Sequence, residues 1–200
     1  MIGIYDVPAL PMTPDNVTGY GRIVTDFDAA EVAITQWPAQ GARPVAHGRG
    51  GGVAEGPFEM EWRSGVLHGR NRGVGGEHIL GWSRHPDEAG NDKASGPRDR
   101  IFVREANYHP DGGQVFVSRG GHPFVMLLAK PGDNIQPTDF VAFHSDGSAG
   151  FHIDPGVWHQ AALTAADADV FDNKQGAVHA CVLCDFPDEF GVYLAIPLAE

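Results

Sequence analysis

Glycine and proline cut this chain into short pieces. The 200 residues hold 27 glycines and 15 prolines, a fifth of the sequence. They are scattered as punctuation, with no repeat and no heptad between them. Only Thr13-Pro14-Asp15 offers a helix start, an N-cap followed by proline, and Gly19 and Gly21 stop it at once. The rest reads as strands. "FEMEWR" (58–63) alternates Phe58, Met60 and Trp62 against Glu59, Glu61 and Arg63. "GRIVTDF" (21–27), "EVAITQW" (31–37), "EHILGWS" (77–83), "IFVREANYH" (101–109), "QVFVS" (114–118), "DFVAFHS" (139–145), "HACVLCDF" (179–186) and "GVYLAIPL" (191–198) join the series. "PFVMLLAK" (123–130) is apolar on both faces and belongs between other strands. Roughly ten to twelve short antiparallel strands with one short N-terminal helix predict a mainly β jelly roll or β-barrel. Residues 1–200 read as one domain, with polar loop inserts at 41–57 and 84–100.

Apolar content of 42% indicates a globular chain, and a net charge of −12 makes nucleic acid and membrane surfaces poor partners. The N-terminus lacks a signal-peptide pattern and no run spans a bilayer, so a cytoplasmic protein is expected. Cys181 and Cys184 lie three apart, on opposite faces of a strand, and should be free thiols.

The densest polar stretch is "GFHIDPGVWHQAAL" (150–163), with His152, Asp154, Trp158 and His159 around a Pro155-Gly156 turn. Pro-Gly followed by His after two residues resembles the second motif of cupin-type jelly rolls, where the turn aims an imidazole into the barrel mouth. A solvated surface hairpin is the competing reading. A cupin metal site also needs an upstream His-x-His and a Glu. The corresponding segment, "NYHPDGGQVFVSRGGHPFVMLLA" (107–129), offers one histidine, His109, and an amide, Gln114. His109, Gln114 and His159 could still hold a divalent metal (Ni, Mn, Fe or Zn), with less grip than a carboxylate would give. Metal is therefore an optional cofactor.

"HPDGGQVFVSRGGHPFVMLLAKPGD", "DFVAFHSDGSAGFHIDPGVWHQAAL" and "GVYLAIPL" together resemble the ureidoglycolate lyase family, and "NVTGYGRIV" (16–24) fits its opening segment. The Trp158-His159 pair and the His109-to-Gln114 spacing carry the likeness. It implies a cupin-like fold, a homodimer, and cleavage of ureidoglycolate to glyoxylate and urea in purine and allantoin breakdown. Asp154 stands where the family often has histidine, and the two inserts are long. Both bear on the substrate more than on the fold.

Cleaving such a carbinolamide needs a base for the hydroxyl proton and an acid for the departing nitrogen. On this reading His159 is the base, oriented by Asp154 or a backbone carbonyl, and His109 or His152 gives the proton. Gln114 holds the hydroxyl or ureido group and Trp158 walls the pocket. Arg72, in the cationic stretch "GRNRG" (69–73), clamps the small substrate's carboxylate. His47, His85, His122, His144 and His179 read as structural or exposed. The alternatives are a metal-dependent cupin isomerase or dioxygenase, a relative acting on another hydroxy acid or amide adduct, and a small-acid sensor.

Overall fold

A computed structural model describes residues 2–35, 45–46, 51–89, 97–177 and 180–198. The chain is mainly β, in two sheets that enclose one large core. The ten-stranded sheet runs, edge to edge, through Gly3–Asp6, Val192–Pro197, Arg100–Val103, Glu77–Trp82, Val66–Asn71, Val53–Arg63, Ala168–Gly176, Gln114–Ser118, Gly150–Ile153 and Gly21–Val24. The second sheet orders Ala9–Pro11, Val141–Ser145, Phe124–Ala129, Trp158–His159, Glu105–Tyr108, Cys181–Asp185 and Val45–Ala46, with Leu163–Thr164 also paired to Phe124–Ala129. Pairings are antiparallel except at two edges, where Gly3–Asp6 and Ala9–Pro11 add in parallel. Among the described residues neither sheet closes on itself, so the architecture is a jelly-roll-like sandwich and not a closed barrel.

The core explains the packing. All six residues of Phe124–Ala129 are buried, as expected for a strand apolar on both faces. Phe124 of one sheet meets Phe171 of the other edge-to-face, with ring centroids 5.4 Å apart, and Phe171 also touches Phe116. Each such pair contributes about 0.5–1.5 kcal/mol beyond burial alone.

Several sequence expectations are corrected. Residues 14–20 form successive turns and not a helix. Thr13 Oγ1 does accept from the Asn16 amide, but Gly19 turns left-handed (φ 86°) before a second turn can form. The helices lie elsewhere, at Pro86–Ala89 and Phe186–Phe190, with a 3₁₀ turn at Pro137–Asp139. Of the expected strand 31–37, the described part makes only a single bridge, Ile34 to Gly112. The insert 41–57 is partly strand, because residues 53–57 pair with 172–176. The insert 84–100 contains one helical turn and the first residue of Arg100–Val103. Strand Ala168–Gly176, which carries "ADVFDNKQG", had no sequence expectation at all.

Candidate functional site

Residues 154–157 build the site before any side chain is considered. The Val157 amide donates to the Asp154 carbonyl (3.2 Å) across Pro155-Gly156, and Gly156 has φ 79°, the geometry a type II turn reserves for glycine. The Gly156 amide donates to the His109 carbonyl (3.3 Å), and the Val157 carbonyl accepts from His159 Nδ1 (2.8 Å). One turn therefore fixes the backbone of one histidine and the ring of the other.

His109 is also held by its ring, since Nδ1 donates to the Ala180 carbonyl at 2.8 Å. A carbonyl only accepts, so both imidazoles carry hydrogen on Nδ1. Their ring centroids are 5.1 Å apart. Gln114 enters from the other sheet. Its Nε2 donates to Asn173 Oδ1 (2.7 Å) and Gln175 Oε1 (3.1 Å), which leaves Oε1 to face His159 Nε2 at 3.3 Å and to bond the His109 side chain. Asn71 Nδ2 and Asn173 Nδ2 also donate to Gln175 Oε1, at 2.8 and 3.1 Å. Asn71, Gln114, Asn173 and Gln175 thus form a buried carboxamide floor under the two histidines.

Both His159 nitrogens face oxygen atoms, the Val157 carbonyl and Gln114 Oε1. Burial, the largest influence on His109, holds its pKa below the usual 6.5 and keeps it neutral, against smaller opposing effects from the Ala180 carbonyl and Asp111.

Above the floor lies a cavity of about 130 Å³ bounded by both sheets. Glu105, Asn107 and His109 alternate along one strand face into it, Gln160 is buried in its wall, and His78 and Leu183 are its exposed members. Partial burial, then the charge of Asp185, pushes the Glu105 carboxyl above the ordinary carboxylate range. Cys181, also in the wall, is a free thiol whose pKa burial pushes up to about 12, so it is inert at neutral pH.

Of the residues expected from sequence, His109, Gln114 and His159 converge here, and four do not. His152 pairs with Val115 and Gln114 with Ile153, and strand neighbours point to opposite faces, so His152 turns away from Gln114. It is buried on the outer side, where its Nδ1 accepts from Arg22 (3.2 Å) and lies 3.3 Å from Asp154 Oδ1. Asp154 is correspondingly outside, and a carbonyl, not Asp154, orients His159. Trp158 alternates with His159 and is fully buried against Tyr108 (4.7 Å), donating to the Gly132 carbonyl; it backs the strand and does not wall the cavity. Arg72 faces solvent and donates twice to Glu59, at 3.0 and 2.8 Å, while its neighbour Asn71 points inward. Glu105, Asn107 and Asn71 were missed. The alternation E-x-N-x-H in 105–109 was the available signal for the first two.

His85 is buried and tied to the Ile2 carbonyl, and His122 is half-exposed beside Asp169. His47 and His179 lie outside the described residues. Among the described residues no cluster of three His, Cys, Asp or Glu could hold a metal. The residues that would hold a divalent ion, were one bound, are His109, His159 and Gln114, a set without a carboxylate.

The ureidoglycolate lyase family model matches residues 84–191, more than half of the chain and all of the His109–His159 region. The chain belongs to the ureidoglycolate lyase family. The ureidoglycolate lyase of Azotobacter vinelandii is 38% identical over 71 residues, 36% of this chain and 43% of that protein. That of Pseudomonas entomophila is 35% identical over 91 residues, 44% of this chain and 54% of that protein. The chain thus spans about half the length of the curated relatives it matches.

Proposed function

We propose that this protein is a carbon–nitrogen lyase that splits ureidoglycolate into glyoxylate and urea, acting as a cytoplasmic homodimer in purine and allantoin breakdown. The single observation that supports the chemistry is the pair of buried imidazoles 5.1 Å apart on either side of Gln114 Oε1, with burial lowering the His109 pKa. In the reaction the substrate O–H bond breaks, its oxygen forms a carbonyl, the C–N bond breaks, and the nitrogen gains a proton. His109, kept neutral by burial, takes the hydroxyl proton. His159 gives its proton to the departing nitrogen and is reprotonated from water as the products leave, while His109 returns to water the proton it took. This reverses the order expected from sequence, on the ground that burial lowers the His109 pKa. Gln114 holds the acid in place, and each such group contributes about 10²–10⁴-fold. A divalent metal, if bound, would be held by His109, Gln114 and His159 and would polarise the hydroxyl as a Lewis acid.

The test is direct. Purified protein is incubated with ureidoglycolate, with and without chelator, and glyoxylate is measured. Release in both tubes supports the proton-transfer reading; release only without chelator supports the metal-assisted version. No glyoxylate in either tube removes the lyase assignment.

A further inference from the structure

The cavity's polar atoms are unequal in kind. Asn107 Oδ1 is buried and has no hydrogen-bond partner among the described residues. Asn107 lines the cavity on the same strand face as Glu105 and His109, and it pairs directly across the sheet with His159. Gln114 spends both amide hydrogens on the floor, and its oxygen is taken up by the histidines. The Glu105 carboxyl adds further oxygen. Among the described residues no Lys or Arg lines the cavity. A buried acceptor without a donor costs free energy, and a ligand rich in N–H groups removes that cost. A carboxylate has no hydrogen to donate to Asn107 Oδ1 and would lie near the Glu105 carboxyl.

We propose that Asn107 is the acceptor that binds the ureido end of the substrate, so that the cavity recognises a neutral, N–H-rich group while the substrate's carboxylate stays at the mouth. The inference rests on the lyase reading for the identity of the substrate, but it can fail separately. It also gives that reading an orientation: with the ureido group on Asn107, the departing nitrogen lies on the His159 side, where the proton is.

Near-isosteric probes separate donor from acceptor. Acetamide and acetate are compared as competitors of glyoxylate release by the wild-type protein, together with urea. Acetamide and urea should compete, and acetate should be weaker by about 10-fold or more. Equal or stronger competition by acetate overturns the proposal. In Asn107→Leu, urea inhibition should weaken about 10-fold or more, while the ligand-free melting temperature rises because the unpaired oxygen is gone. Asn107→Asp, which keeps an oxygen there, should remain sensitive to urea. Wild-type urea inhibition in Asn107→Leu, or its loss in both variants, overturns the proposal even if glyoxylate is made. If the wild type makes no glyoxylate, calorimetric titration with urea gives the answer instead. Binding that Asn107→Leu abolishes upholds the acceptor role without the lyase reading, and binding equal in both proteins, or absent from both, refutes it.

Discussion

Replacing Gln114 with Leu removes an amide of similar bulk from the centre of the carboxamide floor. Two donated hydrogen bonds disappear, at 2.7 and 3.1 Å. Their loss is unequal. Gln175 Oε1 keeps the amides of Asn71 and Asn173, so that bond costs only its ordinary net value, about 0.5–1.5 kcal/mol. Asn173 Oδ1 is fully buried and loses the donor it had from Gln114, which costs about 1–3 kcal/mol. The sum, about 1.5–4.5 kcal/mol, corresponds to a melting temperature lower by roughly 3–18 °C for a chain of this size. Activity should fall further than stability explains. At a temperature where the variant is fully folded, kcat should drop about 10²-fold, because His159 Nε2 loses the oxygen it faces. Differential scanning calorimetry and glyoxylate release measure the two effects on one preparation. An unchanged melting temperature would show that the floor is not held through Gln114. A lowered melting temperature with wild-type kcat would show that its oxygen does not face the reacting proton.

His159→Ala should lower kcat about 10²-fold or more, and near-normal turnover would remove His159 from the chemistry. The acid limb of the rate–pH profile should have its midpoint below 6.5, since burial lowers the pKa of the base His109; a midpoint at or above 6.5 would contradict the assignment. The same depression has a stability sign. The unfolded chain takes the proton first, so the His109 contribution is intact above about 6.5 and is lost as pH falls through the lower folded value, which urea melts at several pH values can follow for wild type and His109→Phe. Arg72→Ala should leave KM within about 2-fold, because its exposed pair with Glu59 is worth little; a large rise in KM would put the guanidinium back at the substrate.

Much of the fold was legible in the sequence because its strands obey simple burial rules. "FEMEWR" alternates and "FVMLLA" does not, and each pattern matches the faces the strand buries. Ala168–Gly176 escaped notice for a physical reason. Its inward positions include Asn173 and Gln175, buried amides that satisfy one another and Gln114, so hydrophobic alternation fails where the floor is built. The turn at 14–20 misled in the opposite way, since its cap residue works as a cap but the glycines beyond it refuse the helix.

In the site, sequence proximity was a poor guide because a strand sends neighbours to opposite faces. His159 was recoverable, since the Pro155-Gly156 turn dictates its reach. Trp158 beside it, and His152 and Asp154 just upstream, were grouped with it only by position. Arg72 drew attention by its charge, while the inward residue was its neutral neighbour Asn71. The same preference for charge hid Asn107. A cavity that binds through oxygen acceptors needs no cation. In a chain with a net charge of −12, such a cavity takes its selectivity from hydrogen-bond polarity, not from charge attraction. That account requires the substrate to enter with its neutral end first and its carboxylate last. Asp154, the departure from the family pattern that looked most informative, lies outside this path, paired with His152 and Arg22 on the other face of the sheet.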